Sequence, residues 1–166
     1  MPYEINLIDR DNQYTESYLS LIAKIEQNFS SFQRQPHNAD FLADEVFTGS
    51  LYVNKYTKQE IIEKGLGIEL QAELLKDWIK ISFWDKSNVY IELPNYPQQG
   101  IEEIIISIIP IINFLYREGL TIEHPIEDKV IPQEEVEAFL YQTYVKRQAL
   151  VNRVARIVSQ QSSDSD

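Results

Sequence analysis

Apolar and polar positions alternate over Tyr3–Ile8 (YEINLI), which predicts a first β-strand. The rhythm then changes. Tyr14, Tyr18, Leu21, Ile22, Ile25 and Phe29 recur at helical spacing, with Asn12 or Thr15 available as a cap, and residues 9–12 read as the turn before them. The polar, proline-containing stretch 30–40 (SSFQRQPHNAD) reads as a loop. Leu42–Tyr56 fits no single pattern, although LYVNKY has strand character and Gly49 marks a break before it. Thr57–Lys64 reads as a helix opened by a Thr57/Glu60 capping box. Gly65 and Gly67 interrupt it, and the following GIELQAELLKD fits a strand or a further helical turn equally well.

The clearest β signal comes next. Trp78–Trp84 and Val89–Leu93 flank the turn-forming residues Asp85, Lys86, Ser87 and Asn88, which predicts a hairpin. Alternation puts Ile79, Ile81 and Phe83 on a core face and Trp78, Lys80, Ser82 and Trp84 on the opposite one. Pro94 and Pro97 end the hairpin. Ile101–Arg117 is apolar nearly all round, as a helix covered on more than one side is. Glu102 and Glu103 suit its dipole, Pro110 predicts a kink, and Gly119 ends it. Leu120–Glu123 reads as a short strand. Pro132 opens a last helix that should run to about Val158, followed by a disordered tail over 159–166. The order of elements predicts one α+β domain over 1–158, with an antiparallel or mixed sheet and packed helices.

The 166-residue chain is 43% hydrophobic, enough to fold as one domain without staples, and it has no cysteine. Disulfides and cysteine-based metal sites are thereby excluded, and a reducing, cytoplasmic setting is the expectation. The opening residues show no basic stretch followed by an apolar one, so no signal peptide is expected. The apolar run Ile104–Tyr116 falls short of the roughly 20 residues needed to span a bilayer, so no membrane partner is expected. A net charge of −11 argues against a sequence-independent grip on nucleic acid; it permits a basic partner, with solubility alone as the plainer reading.

Charge is unevenly spread. Glu92–Glu137 holds ten acids and two bases, whereas Ala138–Val158 holds four bases, Lys146, Arg147, Arg153 and Arg156, and no acid. Acids early and bases late in the last helix complement its dipole. Val136, Leu140, Thr143, Arg147, Leu150, Val154 and Ile157 also follow a heptad spacing with a polar middle. Arg147 there either lays its stem on the core and reaches outward or is buried against a carboxylate that fixes a partner.

Catalytic signals are few. No glycine-rich phosphate loop, nucleophile elbow or paired-histidine metal motif is present. The two histidines give one weak metal set, His37 and Asp40 with His124 and Asp128, in the manner of a metal-dependent hydrolase. Trp78, Trp84, Tyr90 and Tyr96, with Lys80, are candidates for an aromatic binding patch.

Trp78–Ile131 pairs a hairpin and an aromatic–proline turn (LPNYP, Leu93–Pro97) with an amphipathic helix and the segment Gly119–Ile126. This arrangement resembles a pattern in small bacterial proteins that include suspected immunity proteins of toxin systems. Gly119, Ile122 and Pro125 match that pattern, whereas Leu120, Glu123, His124 and Ile126 depart from it. The resemblance covers about a third of the chain and implies neither a catalytic residue nor a cofactor. These features together lead to the expectation of an acidic, non-enzymatic interaction protein, immunity- or antitoxin-like, that binds a basic partner. The alternative is a module that self-assembles through its C-terminal helix. Interaction candidates are Trp78, Lys80, Trp84, Tyr96 and Arg147.

Overall fold

The computed structural model describes residues 3–35, 57–124 and 126–164. The ambiguous stretch 42–56 lies outside them, as do His37 and Asp40. Six strands form one sheet: β1 (Tyr3–Asp9), β2 (Gln33–Arg34), β3 (Ile68–Leu74), β4 (Asp77–Asp85), β5 (Asn88–Leu93) and β6 (Leu120–Ile122). Their order is β2-β3-β4-β5-β1-β6, and every pairing is antiparallel. The helices are α1 (Leu19–Asn28), α2 (Lys58–Lys64), α3 (Ile101–Arg117) and α4 (Val136–Asp164). The architecture is α+β, as the element order implies.

Residues 68–74 resolve as strand β3. It joins β4 through Leu75 and Lys76, both at positive φ (52° and 71°), the backbone of a tight two-residue hairpin turn. Neither residue favours that conformation, so the hairpin leaves no turn signature in the sequence. The β4–β5 hairpin turns at Lys86 and Ser87, and its register shifts between Ser82 and Asp85.

Alternation makes one side of this sheet continuously apolar. Ile5 and Leu7 of β1 stand opposite Ile91 and Val89, Ile91 opposite Ile81, and Ile81 opposite Leu70. All of them are buried in a single core. Leu21, Ile22 and Ile25 of α1, Ile104, Ile108, Ile111, Ile112 and Leu115 of α3, and Val136, Leu140 and Tyr144 of α4 complete that core.

Helix α1 begins at Leu19, later than the spacing from Tyr14 predicts. The buried Asp9 carboxylate accepts the Gln13 and Tyr14 amides at 3.0 and 2.7 Å and turns the chain first, with Asn12 at φ 53°. The Ser17 hydroxyl then accepts the Leu19 amide, so neither Asn12 nor Thr15 acts as the cap. Tyr14 and Tyr18 are buried nonetheless, as loop residues folded onto the core. The Thr57/Glu60 capping box of α2 forms as the sequence indicates. Gly65 ends α2 at φ 71°, and a Cβ there would meet the Leu19 amide nitrogen at 3.3 Å. Helix α3 runs without interruption through Pro110, which lies on its exposed side, where water can serve the carbonyl that lost its donor.

The outer face of the sheet is polar. Lys80 stands between Glu69 and Glu92 at 3.6 and 3.7 Å, and Trp84 donates to Glu69 at 3.2 Å. Glu4 faces Glu92 directly across β1 and β5. Burial, with Glu4 and Glu69 nearby, raises the Glu92 carboxyl above its usual range despite Lys80. A raised carboxyl favours folding while protonated, and that benefit is lost as pH rises through the raised value. Glu92→Gln is therefore expected to raise Tm at neutral pH, with the gain shrinking as pH falls below the ordinary carboxylate range. Thermal unfolding of both proteins across pH checks the sign.

Candidate functional site

The last helix is anchored at its root. The Tyr144 and Tyr3 rings stack at 4.8 Å between centroids, with planes 7° apart. The Tyr144 hydroxyl donates to the Pro94 carbonyl, and the Tyr3 hydroxyl bonds the Thr143 hydroxyl, which also reaches the Phe139 carbonyl. Burial raises both tyrosine hydroxyls above their ordinary pKa, opposed at Tyr3 by Thr143 and Arg147. Pro132 precedes a single 3-10 turn, Gln133–Glu135, and α4 proper opens at Val136. The helix then continues to Asp164, past the expected end near Val158, and covers six of the residues expected in a disordered tail.

Buried positions on α4 stop at Tyr144. The apolar side of the helix does not. Leu150, Val154, Ile157 and Val158 follow on the same side, each about half exposed, with Arg147 and Val151 partly covered. The heptad spacing seen in the sequence is thus one stripe with two fates. Tyr144, not Thr143 or Arg147, takes the buried position at its middle.

Between the first turns of α3 and α4 lies a groove of about 460 Å³. Ile105, Ala138 and Tyr141 give it an apolar floor, and Glu102, Glu134 and Glu137 give it an acidic rim. None of those three carboxylates forms an ion pair or hydrogen bond among the described residues. Three unpaired charges around half-exposed Tyr141 suit a cationic, partly apolar ligand surface. A second hollow, of about 520 Å³, opens between β1, β6 and α4, where His124 and Asp128 meet Tyr3, Asn6 and Phe139. His124 Nδ1 accepts the Ile126 and Glu127 amides at 3.3 and 3.2 Å, which leaves Nε2 as the donor in the neutral ring.

The other sequence candidates are scattered. Trp78 (63% exposed) and Lys80 line a small hollow on the outer face with Glu92 and Pro94. Trp84 is half-buried against Glu69, and exposed Tyr96 is not part of that hollow. Arg147 sits at the root of the bare stripe. His124 and Asp128 share one cleft, their proposed metal partners His37 and Asp40 lie outside the described residues, and no group of three His, Asp or Glu able to hold a metal occurs among the described ones. No helix among the described residues is long and apolar enough to cross a membrane.

The groove acids were visible in the sequence only as part of the excess between Glu92 and Glu137. Spacing within one helix could not show that Glu102 and Glu137 face each other across two. Comparison with family models, with curated proteins and with solved structures finds no match to this chain.

The anchor at the root of α4 carries a direct expectation. Tyr144→Phe removes one hydrogen bond and costs about 1 kcal/mol, whereas Tyr144→Ala also empties the stack and costs about 3–5 kcal/mol. Urea unfolding of the two variants measures both.

Proposed function

We propose that this chain is a non-enzymatic protein-interaction module, immunity- or antitoxin-like, that binds a basic partner on the groove between α3 and α4. The observation that carries this reading is the pairing of an apolar floor with three unpaired carboxylates in that groove. The rest of the chain supports it. Of the net −11, the segment Ala138–Val158 contributes +4, so the field around the body is more acidic than the total suggests. Such a field steers a basic protein towards the surface and raises its association rate, an effect that salt weakens. The complementary surface is a helix or loop with an apolar side chain for Ile105 and Tyr141 and Lys or Arg around it.

The test uses two amphipathic helical peptides of equal length, one built of Lys and Leu and the other of Glu and Leu, titrated calorimetrically into the full chain. The Lys/Leu peptide should bind, more weakly as salt is raised. Replacing Glu102, Glu134 and Glu137 together by Gln should weaken it by about threefold to about 150-fold, given about 0.2–1 kcal/mol for each exposed pair. Equal binding of the two peptides, or an unchanged affinity in the triple variant, would contradict the reading. A second reading, assembly through α4, is favoured by the bare stripe beyond Tyr144.

A further inference from the structure

Beyond Tyr144, α4 is a projecting arm, and its chemistry is the complement of the groove's. Lys146, Leu150, Arg153 and Ile157 follow one another at steps of four, three and four residues, so basic and apolar side chains share one edge of the helix. All four are exposed. Neither Lys146 nor Arg153 forms an ion pair or hydrogen bond among the described residues, and Ala138–Val158 contains no acid that could neutralise them. The groove offers the opposite, an apolar floor of Ile105 and Tyr141 inside three unpaired carboxylates. The arm is also poorly suited to stand alone. Val145, Val151, Val154, Ile157 and Val158 are β-branched, which lowers helix propensity, and a short isolated helix is marginal in water.

On the reading of the groove as a site for a basic surface, we propose that this surface is the arm of a second copy of the chain. Leu150 and Ile157 of the donor lie over Ile105 and Tyr141 of the acceptor, and Lys146 and Arg153 turn towards Glu102, Glu134 and Glu137. Opposite charge selects this contact, whereas two arms laid side by side would set base against base. A copy cannot fill its own groove, because α4 is one unbroken helix with the groove at its first turn and the arm pointing away. Groove and stripe also face different ways. Ala138 and Val154 lie about 160° apart around the axis at 100° per residue. Each copy therefore receives an arm on one side and offers its own on the other, a head-to-tail contact to which further copies can add. Val154 lies roughly 15 Å along the axis beyond Tyr144, so the docked segment stands beyond the donor's body. Both copies carry the same net charge, so the attraction is local. At about 0.15 M salt the screening length is about 8 Å, which dims the repulsion between bodies more than the attraction between groups in contact. Exposed ion pairs are individually weak, so the association depends on concentration.

Sedimentation of the unmodified chain should show a mass that rises with concentration from 19.5 kDa and passes twice that value. Two variants take the contact apart. The groove variant carries Glu102→Lys, Glu134→Lys and Glu137→Lys, and the arm variant carries Lys146→Gln, Leu150→Gln and Arg153→Gln. Alone, each should stay a monomer, the first for want of an acceptor and the second for want of a donor. Mixed in equal amounts they should form one-to-one pairs and stop there, because only the arm of the first and the groove of the second are intact. Circular dichroism checks that both keep the parent's helix content. Should the Lys substitutions cost helix, Gln at the same three positions takes their place. A parent chain that is monomeric at every concentration, a variant that associates alone as well as the parent does, or a mixture that forms no pairs would overturn the proposal. The Lys/Leu peptide, titrated into the arm variant, separates this inference from the partner-binding reading. Peptide binding without pairing overturns docking between copies alone, whereas the absence of both overturns the two together.

Discussion

The apolar face of the sheet must be covered, and it is narrower than the helix that helps to cover it. Ile5, Leu7, Ile81 and Ile91 form a continuous buried surface that α1, α3 and the root of α4 close. Burial of that surface is the main stabilising term. Tyr144 stacks on Tyr3 and bonds Pro94, and beyond it no described position of α4 is buried. The helix nevertheless continues to Asp164 with its apolar side intact. The projecting arm follows from that mismatch.

The acidic groove has a related origin. Glu102 sits in the first turn of α3 and Glu137 in the first turn of α4, where carboxylates complement the helix dipoles. Packing α3 against α4 brings the two turns together and sums their charges around Ile105 and Tyr141. Features that serve each helix separately thus create a surface neither has alone. The molecule thus carries opposite charge on an acidic groove of the body and on the basic arm beyond it.

Much of the fold was legible in the sequence because its signals are local. The alternation in WIKISFW separated Ile79, Ile81 and Phe83 from Trp78, Lys80, Ser82 and Trp84, and the structure keeps that division. The Thr57/Glu60 box and Gly119 marked helix ends for equally local reasons. Tertiary contacts account for the misreadings. Asp9 captured two amides and delayed α1, although Tyr14 and Tyr18 keep helical spacing. Leu75 and Lys76 adopt a turn that neither favours, because β3 and β4 pair on either side of them. The stripe on α4 was readable as a heptad, but its division at Tyr144 depends on how far the body reaches. The groove was not readable at all, since it needs two helices placed side by side.

Beyond Tyr144, α4 is left without buried positions by the body. Amide hydrogen exchange in dilute solution tests this most directly. Residues 136–144 should be protected in dilute solution, while amides from 147 to 161 should exchange fast. Equal protection of both segments in dilute solution would mean that the body itself covers the arm, and it would contradict the account.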